Sequence, residues 1–124
     1  MPGWKRPWVK FWVNECLDGT VREELEPAER GVWYDLIIYS ARCRTAGIIS
    51  ANESQAIARQ RLAGILNIPV ELLERTLNKA VEQKRIKIDN QGLIHILNWY
   101  KYQSEYERQK KYRKKAIHDR ASGF

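Results

Sequence analysis

Apolar side chains between residues 27 and 45 recur at the spacing of one buried helix face. The residues on this face are Trp33, Leu36, Ile37 and Ala41. Pro27 has the backbone geometry of a first helical turn, and Gly47 suits the position just past a helix end. The pattern therefore predicts a helix over residues 27–45.

A short β-branched stretch and a second amphipathic segment follow this helix. Residues 47–50 predict a brief strand. The spacing of Ser50 and Glu53 is typical of a capping box, in which each side chain binds the other residue's free backbone N–H. A helical region is predicted from Ser54 to Leu66, either as one helix or as two short ones. Its apolar positions are Ala58, Leu62, Ile65 and Leu66.

The sequence Asn67-Ile68-Pro69 interrupts this pattern and separates it from another helix. Pro69 suits the first position of a helix over residues 69–84. The apolar stripe of that helix consists of Val70, Leu73, Leu77, Ala80 and Val81. Two helices joined by about three residues form a helix-turn-helix unit.

Two isoleucine-rich stretches after this unit predict a β-hairpin. Residues 86–89 and 93–97 flank a three-residue loop ending in Gly92, which suits a type I turn closed by a left-handed residue. The predicted register pairs Ile88 with Ile94 and Ile86 with Ile96. All four isoleucines then share one face, whereas Lys87 and His95 point toward solvent or a ligand. A hairpin in this position is the wing of a winged helix.

The two ends of the chain carry aromatic clusters. Residues 8–13 are extended in character, and we expect Trp8 and Trp12 to cover the core rather than to form a stacking platform for bases. Near the other end, Asn98 is predicted to cap a helix. The aromatic residues on one face of that helix are Trp99, Tyr102 and Tyr106.

The order helix, strand, helix, helix, hairpin predicts a mainly α fold with a small β-hairpin. We identify it as a winged helix-turn-helix with a C-terminal helical extension, spanning residues 1–106 and followed by a basic tail over residues 107–124.

Composition excludes several classes of protein. A content of 44% hydrophobic and 30% charged residues is ordinary for a soluble domain with one core. No apolar run reaches the roughly 20 residues of a membrane span, and the basic N-terminus does not resemble a signal peptide, so we expect a cytoplasmic protein. Cys16 and Cys43 belong to no metal-binding or redox motif. We expect both to be buried and reduced, with a disulfide between them as the alternative.

The net charge of +7 is concentrated near the C-terminus. Residues 1–100 carry 14 Lys/Arg against 12 Asp/Glu, whereas residues 101–124 carry 8 against 3. The basic tail includes Lys110, Lys111, Arg113, Lys114 and Lys115. Such a run binds nucleic acid by releasing counterions, and neutralising five phosphates would give a salt slope of about −4.5. The alternative is a solubilising linker or a helix leading to a further domain.

The second helix of a helix-turn-helix usually lies in the major groove. In the helix over residues 69–84, Arg75 and Asn78 have the chemistry for bidentate contacts to guanine and adenine. The alternative for Arg75 is an i, i+4 ion pair with Glu71. The helix also carries glutamates that phosphate would repel, and these are Glu71, Glu74 and Glu82.

Phosphate contact is predicted where this helix meets the wing. The candidates there are Lys79, Lys84, Arg85 and Lys87, to which Arg59, Arg61 and the wing residue His95 are added. A solvated charged surface is the alternative interpretation. We expect no enzyme, metal or cofactor, because His95 and His118 lack sequence-near carboxylate or cysteine partners and the chain has no glycine-rich phosphate loop.

Several segments together resemble a known family. They are Trp8-Val9-Lys10-Phe11, Ala63-Gly64-Ile65-Leu66-Asn67, Val70-Glu71-Leu72-Leu73-Glu74, the hairpin, and Asn98-Trp99-Tyr100-Lys101-Tyr102-Gln103. Over roughly residues 8–113 the chain resembles the N-terminal domain of phage replisome organisers, which is related in architecture to the N-terminal domain of DnaD primosomal proteins. The resemblance implies a winged helix that helps to mark an origin and to assemble the helicase-loading machinery.

Three functions are compatible with these observations. The first is a replication-initiation module that binds double-stranded DNA. The second is an assembly module that self-associates, as the resemblance implies, or holds a replicative helicase or loader, and binds DNA only weakly. The third is a winged-helix transcriptional regulator, for which the sequence shows no effector pocket or dimer helix. None of them involves a membrane or a small-molecule substrate.

Overall fold

The fold is described from a computed structural model, which covers residues 8–52 and 55–103. The described residues form six helices and three strands. They are α1 Val13–Asp18, α2 Thr20–Glu24, α3 Pro27–Arg42, β1 Ile48–Ile49, α4 Arg59–Leu66, α5 Val70–Glu82, β2 Ile86–Ile88, β3 Ile94–Ile96 and α6 Trp99–Gln103.

Helix α3 is the predicted first long helix and contributes much of the core. Val32, Trp33 and Leu36 are buried on one of its faces. Pro27 occupies its first turn, as predicted. The helix ends at Arg42 rather than at residue 45, because Cys43 turns to an extended backbone and its thiol lies buried within 3.8 Å of the Ser50 carbonyl oxygen.

The helix start predicted at Ser50 is wrong, and Glu53, the other residue of the predicted capping box, lies outside the described residues. Ser50 is buried at the end of β1, and the next residue, Ala51, donates its backbone N–H to the Gln55 carbonyl at 2.8 Å. Of the described residues between Ser50 and α4, none is helical, and α4 begins only at Arg59. A buried Ile57 side chain fixes this loop on the core, and that tertiary contact outweighs the local capping pattern.

Helices α4 and α5 form the predicted helix-turn-helix. Asn67 ends α4 in the left-handed conformation, with φ of 57°, and the Ile68 N–H closes the turn on the Ala63 carbonyl at 3.0 Å. Pro69 is the N-cap of α5 rather than its first helical residue. The buried face of α5 consists of Leu73, Thr76, Leu77 and Ala80.

The hairpin has the predicted register. Ile86 pairs with Ile96 and Ile88 with Ile94. Gly92 has φ of 85°, which is the left-handed position that the loop requires. β1 adds to the other edge of β3, giving an antiparallel sheet in the order β1-β3-β2. The protein therefore has the predicted mainly helical, winged-helix-like fold with a small sheet.

Gly47 fixes the wing to the C-terminal helix. Its φ is 89°, and a Cβ atom at this position would lie 2.7 Å from Cγ of the buried Trp99. Its carbonyl accepts the N–H of Ile96 in β3 at 2.8 Å. Only glycine provides both the left-handed conformation and this close approach.

The N-terminal segment differs from its prediction. Residues 8–12 form no helix or strand, but α1 and α2 follow, and neither was predicted. Trp8 is 46% and Trp12 38% exposed, so both lie at the surface instead of closing over the core. Cys43 is buried as expected, whereas Cys16 on α1 is only half-buried; both are free thiols.

The C-terminal helix begins as predicted but without the expected cap geometry. Asn98 has φ of 62°, whereas an N-cap residue has an extended backbone. Tyr106 and the basic tail lie outside the described residues. In the described part of the chain, no helix has the length and apolar character needed to span a membrane.

Candidate nucleic-acid interface

A buried carboxylate joins α3 to α5. Glu29 is fully buried, and its two oxygens accept hydrogen bonds from Arg75 Nε at 2.9 Å and Lys79 Nζ at 2.8 Å. The backbone N–H of Glu26 donates to the same carboxylate at 2.8 Å. Burial alone raises the pKa of Glu29, but the hydrogen bonds from Lys79, Glu26 and Arg75 outweigh it and lower this pKa to about 2. Glu29 is therefore ionised inside the protein.

Arg75 does not form the ion pair with Glu71 that was the alternative to a base contact. Because α5 packs against α3, Arg75 reaches Glu29 and also lies 3.9 Å from Glu26. Lys79, predicted as a phosphate contact, is bound to the same carboxylate. Both cations neutralise a buried charge. Because the Arg75 side chain is still 51% exposed and that of Lys79 35%, a contact with DNA would have to share these cations with Glu29.

The solvent-facing side of α5 is acidic. Asn78 is exposed there, with Glu71 and Glu82 also exposed on the same helix. Glu74 lies 3.6 Å from Arg59 of α4, another predicted phosphate contact. Thus the glutamates that the sequence placed on this helix remain outward, while its basic residues are paired.

Arg85 is also held by the protein rather than presented to solvent. Its side chain is only 12% exposed. Nη2 donates to Glu24 at 3.1 Å and to Thr20 at 3.0 Å, and Nε donates to Gln83 at 2.7 Å. These bonds fasten α2 to the base of the wing. No sequence signal pointed to them, because the α2 acceptors lie more than 60 residues away and α2 itself was not predicted.

Three predicted basic contacts remain outward. Lys84 follows α5, Lys87 lies on β2 and Arg61 lies on α4, and all three are exposed. None of the three forms an ion pair with the described residues. The predicted cluster of four cations between α5 and the wing is therefore reduced to Lys84 and Lys87.

The outer face of the sheet carries Lys87 beside His95. The two residues pair across β2 and β3, and Ile48 of β1 lies on the far side of His95. Lys87 and His95 are thus on the face predicted for them.

His95 has a carboxylate partner that the sequence prediction missed. Asp89 Oδ2 lies 2.8 Å from His95 Nε2, and Oδ1 accepts the N–H groups of Gln91 and Leu93. The hydrogen bond from His95 is the largest influence that lowers the pKa of Asp89. The hairpin register itself was the available signal, since folding about Gly92 brings these residues together.

The remaining predicted contacts lie in the tail and outside the described residues. They are Lys110, Lys111, Arg113, Lys114 and Lys115.

The winged-helix-like order of α3 to β3 is accompanied by a match in sequence. The family model described as N-terminal phage replisome organiser matches residues 28–122, more than three quarters of the chain. This chain belongs to that family. Membership in the replisome organiser family gives the chain a role in the initiation of phage DNA replication. The match begins at the first turn of α3 and includes the wing. No curated protein and no solved structure matches the chain.

Proposed function

We propose that this replisome organiser domain binds double-stranded DNA mainly through phosphate contacts made by its wing and its basic tail. The observation that carries the proposal is the exposure of Lys84 and Lys87 beside the wing, where no described carboxylate neutralises them. His95 lies on the same outer face as Lys87, but its Nε2 is bound to Asp89 Oδ2, so we count no phosphate contact from it.

Base recognition by α5 contributes little in this arrangement. Asn78 has the amide chemistry that pairs with adenine, but exposed Glu71 and Glu82 on the same helix oppose the approach of phosphate. Contacts to phosphate carry no sequence information directly. We therefore expect binding to duplexes of unrelated sequence with similar affinity.

The test measures the salt dependence of binding to a random-sequence duplex by fluorescence anisotropy. Each phosphate contact contributes about −0.9 to the slope of log affinity against log salt concentration. The variant K84A/K87A is expected to have a slope shallower by about 1.8. A full-length variant with the five tail cations replaced by glutamine is expected to lose about 4.5.

A matched control removes two cations elsewhere, with R42A/K101A. Both residues are exposed, on α3 and α6, so this variant has the same net charge as K84A/K87A. If the two variants lower the slope equally, binding reflects overall charge and the wing has no special part in it. An unchanged slope in K84A/K87A contradicts the wing contact directly.

A second candidate function is assembly, with the domain binding another copy of itself or a replicative helicase or loader. It is favoured by α1, which has no buried residue and exposes Val13 to 70% and Leu17 to 57%. Single apolar residues are common at protein surfaces, but two of them one helical turn apart form a small exposed stripe. The variant V13S/L17S should lower the molar mass measured by light scattering if this stripe mediates self-association.

A further inference from the structure

A cleft of about 300 Å³ lies between the N-terminal segment and the base of the wing. Buried Trp33 and Trp99 line it from the core, while Phe11 and Trp12 line it at 41% and 38% exposure. Tyr34 also lines it. The cleft is thus walled by several aromatic rings, two of which are open to solvent.

The exposed rings are held in fixed positions. The Lys10 N–H donates to Gln103 Oε1, and Gln103 Nε2 donates back to the Lys10 carbonyl, both at 2.8 Å. Trp12 Nε1 donates to the Tyr102 carbonyl at 3.0 Å. Phe11 packs edge-on against Tyr34, with ring centroids 5.3 Å apart. A ligand that stacks on these rings therefore meets a wall that is already ordered, which lowers the entropic cost of binding.

Charge identifies the kind of ligand that fits. The basic residues that line the cleft are Lys10, Lys84 and Arg85. Among the described lining residues, Glu15 is the only carboxylate. Arg85 is bound to Glu24, whereas Lys84 is exposed. Asn98 adds an exposed amide, which can both donate to and accept from a base edge.

We propose that this cleft takes an unstacked base of a single-stranded nucleic acid. Aromatic rings beside cations are the combination by which proteins bind single strands, because every base has a face that stacks and every nucleotide carries a phosphate. In this proposal Phe11 and Trp12 stack on the base, and Lys84 contacts the phosphate backbone of the nucleic acid. The rings belong to a different surface from Lys87, whereas Lys84 is shared with the proposed duplex contact, so the two proposals are separated by substitutions of Phe11 and Lys87.

Intrinsic tryptophan fluorescence measures this binding in the full-length chain, because Trp12, Trp33 and Trp99 line the cleft. The probes are oligo(dT), oligo(rU) and an abasic deoxyribose-phosphate oligomer of equal length, at about 200 mM salt so that the contribution of the tail is weakened. We expect quenching by oligo(dT) and at least tenfold weaker binding of the abasic oligomer. Equal binding of these two would overturn the proposal. Oligo(rU) tells whether the cleft distinguishes DNA from RNA.

Substitutions of Phe11 test the stacking directly. F11L preserves an apolar side chain against Tyr34 but removes the ring face, and it should weaken oligo(dT) binding roughly tenfold, because the base loses its stacking partner. F11Y should restore binding. The control is Y100A, which removes a 61% exposed ring of α6 that does not line the cleft. Unchanged binding in F11L, or an equal loss in Y100A, contradicts the assignment.

The single-strand and duplex proposals fail separately. F11L should leave duplex affinity unchanged, and K87A, which lies outside the cleft lining, should weaken duplex binding while sparing oligo(dT). Loss of duplex binding in F11L would show that the cleft is not an independent site.

Discussion

Helix α5 and the wing were both predicted to contact DNA, yet their basic side chains differ in the folded protein: those of α5 are ion-paired and those beside the wing are exposed. On α5, Arg75 and Lys79 are bound to the buried Glu29, and glutamates remain outward. At the wing, Lys84 and Lys87 are exposed without a described ion-pair partner. The position of a helix in a helix-turn-helix therefore does not establish that its basic residues are available to DNA.

The difference follows from the cost of burying a charge. A carboxylate removed from water is tolerated only when cations and hydrogen-bond donors replace its hydration. Glu29 lies in the capping box of α3 with Glu26. Because it is buried there, Arg75 and Lys79 of α5 form ion pairs with it. The wing strands bury only isoleucine side chains, so their cations have no such partner.

The largest expected effect separates these two pairs of cations by stability. R75A/K79A leaves Glu29 buried and unpaired, and should lower the free energy of unfolding by about 3–5 kcal/mol. K84A/K87A removes the same number of charges from exposed positions, and should change it by no more than about 0.5 kcal/mol. Urea denaturation at neutral pH measures both. Similar values for the two variants would remove the distinction between α5 and the wing.

The next effect concerns how the wing is held. G47A forces a left-handed residue to carry a side chain and pushes its Cβ into Trp99, so we expect a loss of about 2–4 kcal/mol. G31A is the matched control, because nothing lies within 4 Å of a Cβ atom there and alanine suits a helix interior better by about 1 kcal/mol. Thermal denaturation of both variants is the measurement. A destabilised G31A or a neutral G47A would contradict this account of the wing.

Acidity should affect the Glu29 cluster in a defined direction. The pKa of Glu29 is lowered from its ordinary 4.5 to about 2, so its ionised form stabilises the fold above pH 4.5, and this contribution is lost as the pH falls toward 2. E29Q lacks the ionisation. The stability difference between the wild type and E29Q should therefore shrink between pH 5 and pH 2. A constant difference across this range would show that Glu29 is not ionised in the folded protein.

The smallest effect is expected for Asn78, the outward residue of α5 with base-reading chemistry. N78A should change duplex affinity by less than about twofold for any sequence, because in this account Asn78 contacts no base. A well-formed bidentate pair with a base would be worth about 1–3 kcal/mol. Competition between duplexes of different sequence measures this. A loss of tenfold or more for one sequence would restore α5 as the recognition element.

The periodic parts of the fold were predictable, and the parts held by distant contacts were not. The helices around Trp33 and Leu77 and the Ile86–Ile96 register follow from local patterns that agree with the tertiary packing. The short helix α1 has no buried residue, so it leaves no amphipathic pattern to detect. The loop after Ser50 matched a capping box only locally.

The candidate interface was predictable as a region but not residue by residue. Lys87 and His95 were placed on the correct face because strand alternation determines it. The ion pairs of Arg75 and Arg85 were not predicted, because their partners, Glu29 and Glu24, lie 46 and 61 residues away in sequence. Sequence position gives the charge of a side chain, whereas its availability depends on what the fold buries nearby.

Amide chemical-shift mapping of the full-length chain with a short random-sequence duplex tests the central claim most directly. The account predicts that the largest shifts among residues 55–103 fall between Lys84 and Ile96, with only small shifts at Glu71, Asn78 and Glu82. The opposite pattern, with the largest shifts along the outward face of α5 and none at the wing, would contradict it.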